Sequence, residues 1–175
     1  RSDPAAHRNA LIRAEARRLA AHPPAGPIVA AGSTGSIPAT ADLLAVIASL
    51  PRGAVVLPGL DLAMDVRTRG VLEKPGAEPA VLGHPQYGML KLLRRMGAEF
   101  SDVAPLAAAE RPLQLRAALV GEAFRPADTT DEWATRRSTF SPEDVSAAFA
   151  DVTLVEAANE RDEAMAIALA LRQAI

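Results

Sequence analysis

The chain has 175 residues, 49% of them apolar but only 3% aromatic, so it can fill a sizeable core and must fill it with aliphatic side chains. Its formal net charge of -2 gives no strong nucleic-acid footprint, and its lack of cysteine excludes disulfides and thiolate metal sites. No stretch nears the roughly 18 apolar residues of a membrane span and no basic-then-apolar signal segment opens the chain, so a soluble, cytoplasmic protein without a membrane partner is expected.

In chain order, a helix is predicted from Pro4 to Ala21, with Asp3 as N-cap, Leu11, Ile12 and Leu19 as apolar anchors, and "HPPAGP" ending it. A strand follows at Ile28 to Ala31. The Gly/Ser/Thr turn "GSTGS", residues 32 to 36, then leads into a helix from Pro38 to Leu50. Ser36 is its candidate N-cap, with Leu43, Leu44 and Ile47 facing a core and Thr40 and Asp42 facing water. "PRG" turns the chain into a second buried-type strand over residues 54 to 58. Strand, helix, strand at this spacing is a βαβ unit, which right-handed crossover makes parallel.

Residues 61 to 83, rich in proline and glycine and poor in apolar residues, read as an irregular connector. "HPQYGMLKLLRRMG" is a helix with Met89, Leu92, Leu93 and Met96 inward, ending at Gly97. Another covers Pro112 to Phe124, with Leu115, Leu119 and Val120 buried. Thr129 with Glu132, and Ser141 with Asp144 after Pro142, stand at capping-box spacing. The last unit is a strand at Val152 to Ala157, a polar turn and a long helix. The chain begins with Arg1 and stops inside that helical run, so it is expected to be a piece of a longer protein.

The turn at Gly32, Ser33, Thr34, Gly35 and Ser36 sits where α/β proteins aim backbone N–H groups at an anion. A Walker-type loop would need Gly-Lys followed by Ser or Thr, and the only two lysines are Lys74, before a proline, and Lys91, before a leucine. The dinucleotide fingerprint fails too, since no third glycine opens the helix. Other motifs are equally absent. His7, His22 and His84 share no metal-ligand spacing, neither lysine completes a nuclease Glu-x-Lys, and no Gly-x-Ser-x-Gly occurs. Asp61 and Asp65 would share a face if their stretch were helical, more readily as a solvated pair than as a metal site. Two polar clusters remain: His84, Gln86 and Tyr87 at a helix start, and Arg125 beside a capping turn. Either suits phosphate or a partner protein, or simply caps and packs a loop.

Taken together, "AAGSTGSIPATADLLAVIASLPRGAVVLPGLD", "HPQYGMLKLLRRMG", "LVGEAFRPADTTDEW" and "VTLVEAANERDEAMAIALALR" resemble AddB, the B subunit of the bacterial AddAB helicase-nuclease in its alphaproteobacterial form. The resemblance covers nearly the whole chain in the right order. It implies part of the helicase-like half of a subunit that repairs DNA double-strand breaks together with an AddA-type partner. The fold it implies is an α/β module with a small, mainly parallel sheet flanked by helices, RecA-like but without a Walker A motif. Residues 1 to 60 would end a first helicase-like domain, 61 to 150 form a helical connector, and 151 to 175 open a second.

In active relatives of such helicases the loop after the first strand carries Asp and Gln, whereas this chain has "AGSTGS", which suits structure or a DNA phosphate. The candidate DNA-backbone contacts are therefore Gly32 to Ser36, with His84, Gln86, Tyr87 and Arg125 as additional ones. No cofactor, metal or catalytic residue is expected in this stretch. Rival readings are a free-standing phosphate-binding or small-molecule α/β enzyme using the 32 to 36 turn, and a module that binds only a partner subunit. The chain by itself is expected to neither hydrolyse ATP nor cut DNA. ATPase activity above background in the contaminant-free protein is the result that would contradict this.

Overall fold

The computed structural model describes residues 3 to 76 and 78 to 174. It is mostly helical, with one small parallel sheet. Helix α1 runs Pro4–Ala21, and Asp3 caps it by accepting from the Ala5 N–H at 3.0 Å, with proline at the first helical position as the sequence suggests. Ala16 and Leu19 are its buried residues. Leu11, expected as an anchor, is exposed because only part of this arginine-rich helix packs on α2.

Strand β1 (Ile28–Ala31), helix α2 (Pro38–Ser49) and strand β2 (Gly53–Val56) form the expected βαβ unit, with the strands parallel and Ile28 opposite Gly53. Its core is one-sided. Ala30 and Val55 pack against Ala41 and Leu44 of α2 and against Leu92, whereas Val29 on the other face is 62% exposed. The expected cap at Ser36 does not form. Ile37 takes the N-cap position with no side-chain hydrogen bond, and the fixed φ of Pro38 starts the helix without one. Asp42 does not simply face water but pairs with Arg95, tying α2 to the later helix at Tyr87–Met96.

The connector expected at 61 to 83 is not irregular throughout. It contains α3 (Val66–Glu73) and the short α4 (Pro79–Leu82). Asp65 starts α3 by accepting the Thr68 N–H at 2.9 Å, a local cap that offsets a sequence poor in apolar residues. Helix α5 (Tyr87–Met96) buries Met89, Leu90, Leu92 and Leu93, and ends as predicted at Gly97, whose φ of +69° is left-handed. Leu72, Leu90 and Leu93 form a second core with Leu57, Met64 and Phe100 around them.

Helix α6 (Arg111–Ala123) buries none of its residues fully. Leu115 and Leu119 are half-buried and Val120 is exposed, contrary to expectation, because α6 has α8 on one side and open grooves beside it. Residues Ala127–Glu132 form a 3-10 turn leading into α7 (Trp133–Arg137). No capping box joins Thr129 to Glu132, since the buried Thr129 hydroxyl donates instead to the Pro126 carbonyl. The Ser141–Asp144 box does open α8 (Pro142–Ala148).

The strand expected at 152 to 157 is absent. These residues have no regular structure and are exposed, with Leu154 at 84%, and among the described residues no strand pairs with them. The long helix α9 (Glu160–Gln173) then follows, capped by Asn159.

Gly53 shows how tightly the βαβ turn is built, because a Cβ there would stand 1.8 Å from the Ile47 carbonyl oxygen. Gly53→Ala is expected to cost about 2–4 kcal/mol, as backbone must move to admit the methyl. At this chain length thermal unfolding should then fall by roughly 4–16 °C. An unchanged melting temperature would show that the turn is not so constrained.

Candidate functional site

The turn between β1 and α2 is made by two glycines in the left-handed region, Gly32 at φ +77° and Gly35 at φ +62°. Gly32 N–H continues the ladder to the Val56 carbonyl at 3.2 Å, and Gly35 N–H reaches the Ser33 hydroxyl at 3.3 Å. Among the described residues the N–H groups of Ser33, Thr34 and Ser36 have no hydrogen-bond partner. With no side-chain cap on α2, the turn and the helix start together present unsatisfied donors. Gly35 also lies against Leu92, where a Cβ would come within 2.8 Å of the leucine methyl, so the core that Leu92 shares with Ala41 and Leu44 fixes the turn's position.

His84, Gln86 and Arg125 are brought together, but away from that turn. They line a half-open cavity of about 690 Å³ between the chain following β2 and helix α6. His84 Nδ1 accepts the Gln86 N–H at 3.1 Å, which leaves Nε2 to carry the proton and donate to the Phe124 carbonyl at 2.7 Å. The Gln86 amide takes the Asp61 N–H on its oxygen and donates to the Gly59 carbonyl. Both side chains thus act as latches holding the 59 to 61 loop, the start of α5 and the end of α6. Tyr87 is half-buried at the start of α5, its N–H on the His84 carbonyl, and does not line the cavity.

Arg125 is the centre of a charge cluster that sequence reasoning missed. Its side chain is only 3% exposed, and it donates to Glu122 at 2.6 Å, to the Thr68 hydroxyl at 3.0 Å and to Asp65. Arg136 reaches the same Asp65 at 3.3 Å and also Glu132, while Arg67 bridges Glu132 and Asp131. The local signals were the i, i+3 pairs Asp65–Thr68 and Glu122–Arg125 and the i, i+4 pair Glu132–Arg136; the bonds that join them into one cluster span about sixty residues or more.

Burial works to raise the Asp65 pKa, but it is outweighed by the Thr68 N–H, the Arg125 guanidinium and the Thr68 hydroxyl, which together hold it below the ordinary value of 3.8. Arg125 is pushed higher still, first by its bond to Glu122 and despite burial. The chemistry of the cluster is cohesive, with a guanidinium committed to its neighbours. Among the described residues, no three histidine, aspartate or glutamate side chains converge as metal ligands. No helix there is long and apolar enough to cross a membrane.

Comparison with protein-family models, with curated proteins and with solved structures gives no match to the chain.

Removing Arg125 leaves Asp65 and Glu122 with only the partly exposed Arg136 as a shared cation, so Arg125→Met is expected to cost about 3 kcal/mol in denaturant unfolding, the lower end for a broken buried pair because both carboxylates keep Arg136 and some water. Asp65→Asn adds a pH signature. Because the folded-state pKa is lowered, the stability Asp65 contributes is complete above its ordinary value and is lost as pH falls through the lowered one. The gap between wild type and Asp65→Asn should therefore be constant near neutrality and close below about pH 4. A gap that persists at pH 2 would remove ionisation from the explanation.

Proposed function

We propose that the chain is a non-catalytic, helicase-like scaffold segment of a subunit that serves DNA double-strand-break repair in a helicase-nuclease complex. The observation that carries this reading is the ordered resemblance to AddB over nearly the whole chain. The parallel βαβ unit with a glycine-rich turn supports it, since that is the local architecture such a segment needs. In this reading residues 1 to 60 end a first RecA-like domain and 61 to 150 are the helical connector. Residues 151 to 175 open a second such domain. The exposed apolar residues Val152, Leu154 and Val155, and Met165 to Leu171 in α9, suit a strand and helix that complete a sheet with chain from that domain. The partners are DNA and an AddA-type subunit, in the cytoplasm.

The DNA contact in this proposal is the turn from Gly32 to Ser36, whose free N–H groups match a phosphate oxygen. His84, Gln86 and Arg125, already engaged within the fold, act as supports instead. The rival reading, a small-molecule enzyme using the same turn, lacks support because the cavity of about 690 Å³ lies beside α6 and not at the turn.

A backbone contact of this kind gives weak, sequence-independent binding that salt reduces, with a slope of about -0.7 per phosphate on single strands. In the complex with the AddA-type subunit, Ser33→Asp and Ser36→Asp should each weaken single-strand binding several-fold at low salt. Equal affinity for wild type and both variants would reduce the turn to a connector.

A further inference from the structure

Helices α6, α7 and α8 enclose a second, shallower groove of about 640 Å³, lined by Leu119, Ala123, Phe140 and Val145 with Trp133 at its edge. Trp133 is 47% exposed, yet its indole Nε1–H donates to the Glu122 carbonyl at 2.8 Å. That bond turns the N–H edge inward and holds the ring at the groove, where about half of the residue stays open to solvent. Beside it Arg137 is exposed and meets no carboxylate among the described residues. The one acid in the groove, Glu122, is already neutralised by Arg125 and Arg136. The hydroxyls of Ser138 and Thr139 are turned back onto their own helix at 2.7 Å each. What the groove leaves free is a held aromatic ring, an apolar wall and one guanidinium.

We propose that this groove is a stacking platform for an unpaired nucleobase, with Trp133 under the base and Arg137 on the adjoining phosphate. Every base has a π-face, so such a contact tolerates any sequence, and the groove has room for a small flat ligand. The proposal rests on the single-strand reading given above, but it uses a different surface from the 32 to 36 turn.

Trp133 is the only tryptophan in the chain, so its emission reports on this groove alone. Titration with an oligothymidylate of about 12 nucleotides at low salt should quench that emission, with the same midpoint as the anisotropy of the labelled oligonucleotide. Trp133→Ala should raise the dissociation constant about tenfold and Trp133→Phe should recover most of it. Arg137→Gln should flatten the salt dependence by about 0.7. Circular dichroism checks that each variant is folded, and the Phe variant keeps the test valid if the Ala variant is not. If the oligonucleotide binds, Ser33→Asp weakens it and Trp133 emission does not move, the platform is overturned while the DNA reading stands. If anisotropy shows no binding at all, both fall. Emission that shifts to the blue with protein concentration alone would instead assign the groove to a second copy of the chain, which also overturns the proposal.

Discussion

The buried guanidinium of Arg125 is the constraint on which the helical half of the molecule depends. Between Gly97 and Ser141 the chain has few fully buried apolar side chains, and α6 has none. What fixes this region to α3 is a charge-assisted bond to the residue that caps α3, another to the end of α6, and an ion pair to the turn before α7. Such a cluster is costly to desolvate and costlier to break, so its worth lies less in net stability than in selecting one arrangement of segments that apolar packing alone would leave loosely specified. The apolar cores around Leu44 and Leu90 perform the same task for the first half by packing.

Where structure is decided locally, the residues showed it. Asp3 followed by proline, Gly97 after an amphipathic run and Ser141-Pro142 with Asp144 mark helix ends through bonds made within a few residues, and the structure has them at those positions. β1 and its parallel partner were also legible, since a short connection through one helix leaves little topological choice. Residues 152 to 157 failed for the complementary reason. Their composition makes them fit for a strand, but a strand exists only by pairing, and none lies beside them. Ser36 failed because Pro38 can start a helix without a side-chain cap.

The candidate site was legible in its parts and not in its grouping. The turn from Gly32 to Ser36 stands where its sequence puts it, with both glycines at positive φ. His84, Gln86 and Arg125 do meet, yet as members of an internal bond network and not as a surface, because their partners, the Gly59 and Phe124 carbonyls and the Asp65 carboxylate, come from distant segments. Periodicity reports which face of an element is apolar. It carries no information about a carbonyl thirty residues away.

The exposed, irregular segment after α8 has a consequence for handling the protein. Val152, Leu154 and Val155 stand exposed on a stretch without proline and with a single acidic residue, and beyond the Val152 N–H, which is held by the Phe149 carbonyl, its backbone N–H groups find no partner among the described residues. Such a stretch is a template for edge-to-edge association and, at high concentration, for cross-β aggregation. Natural sheets blunt such edges with lysine or proline, and this segment has neither. A single charge at Leu154, the most exposed of the three, is the smallest change that would act as a gatekeeper without touching either core.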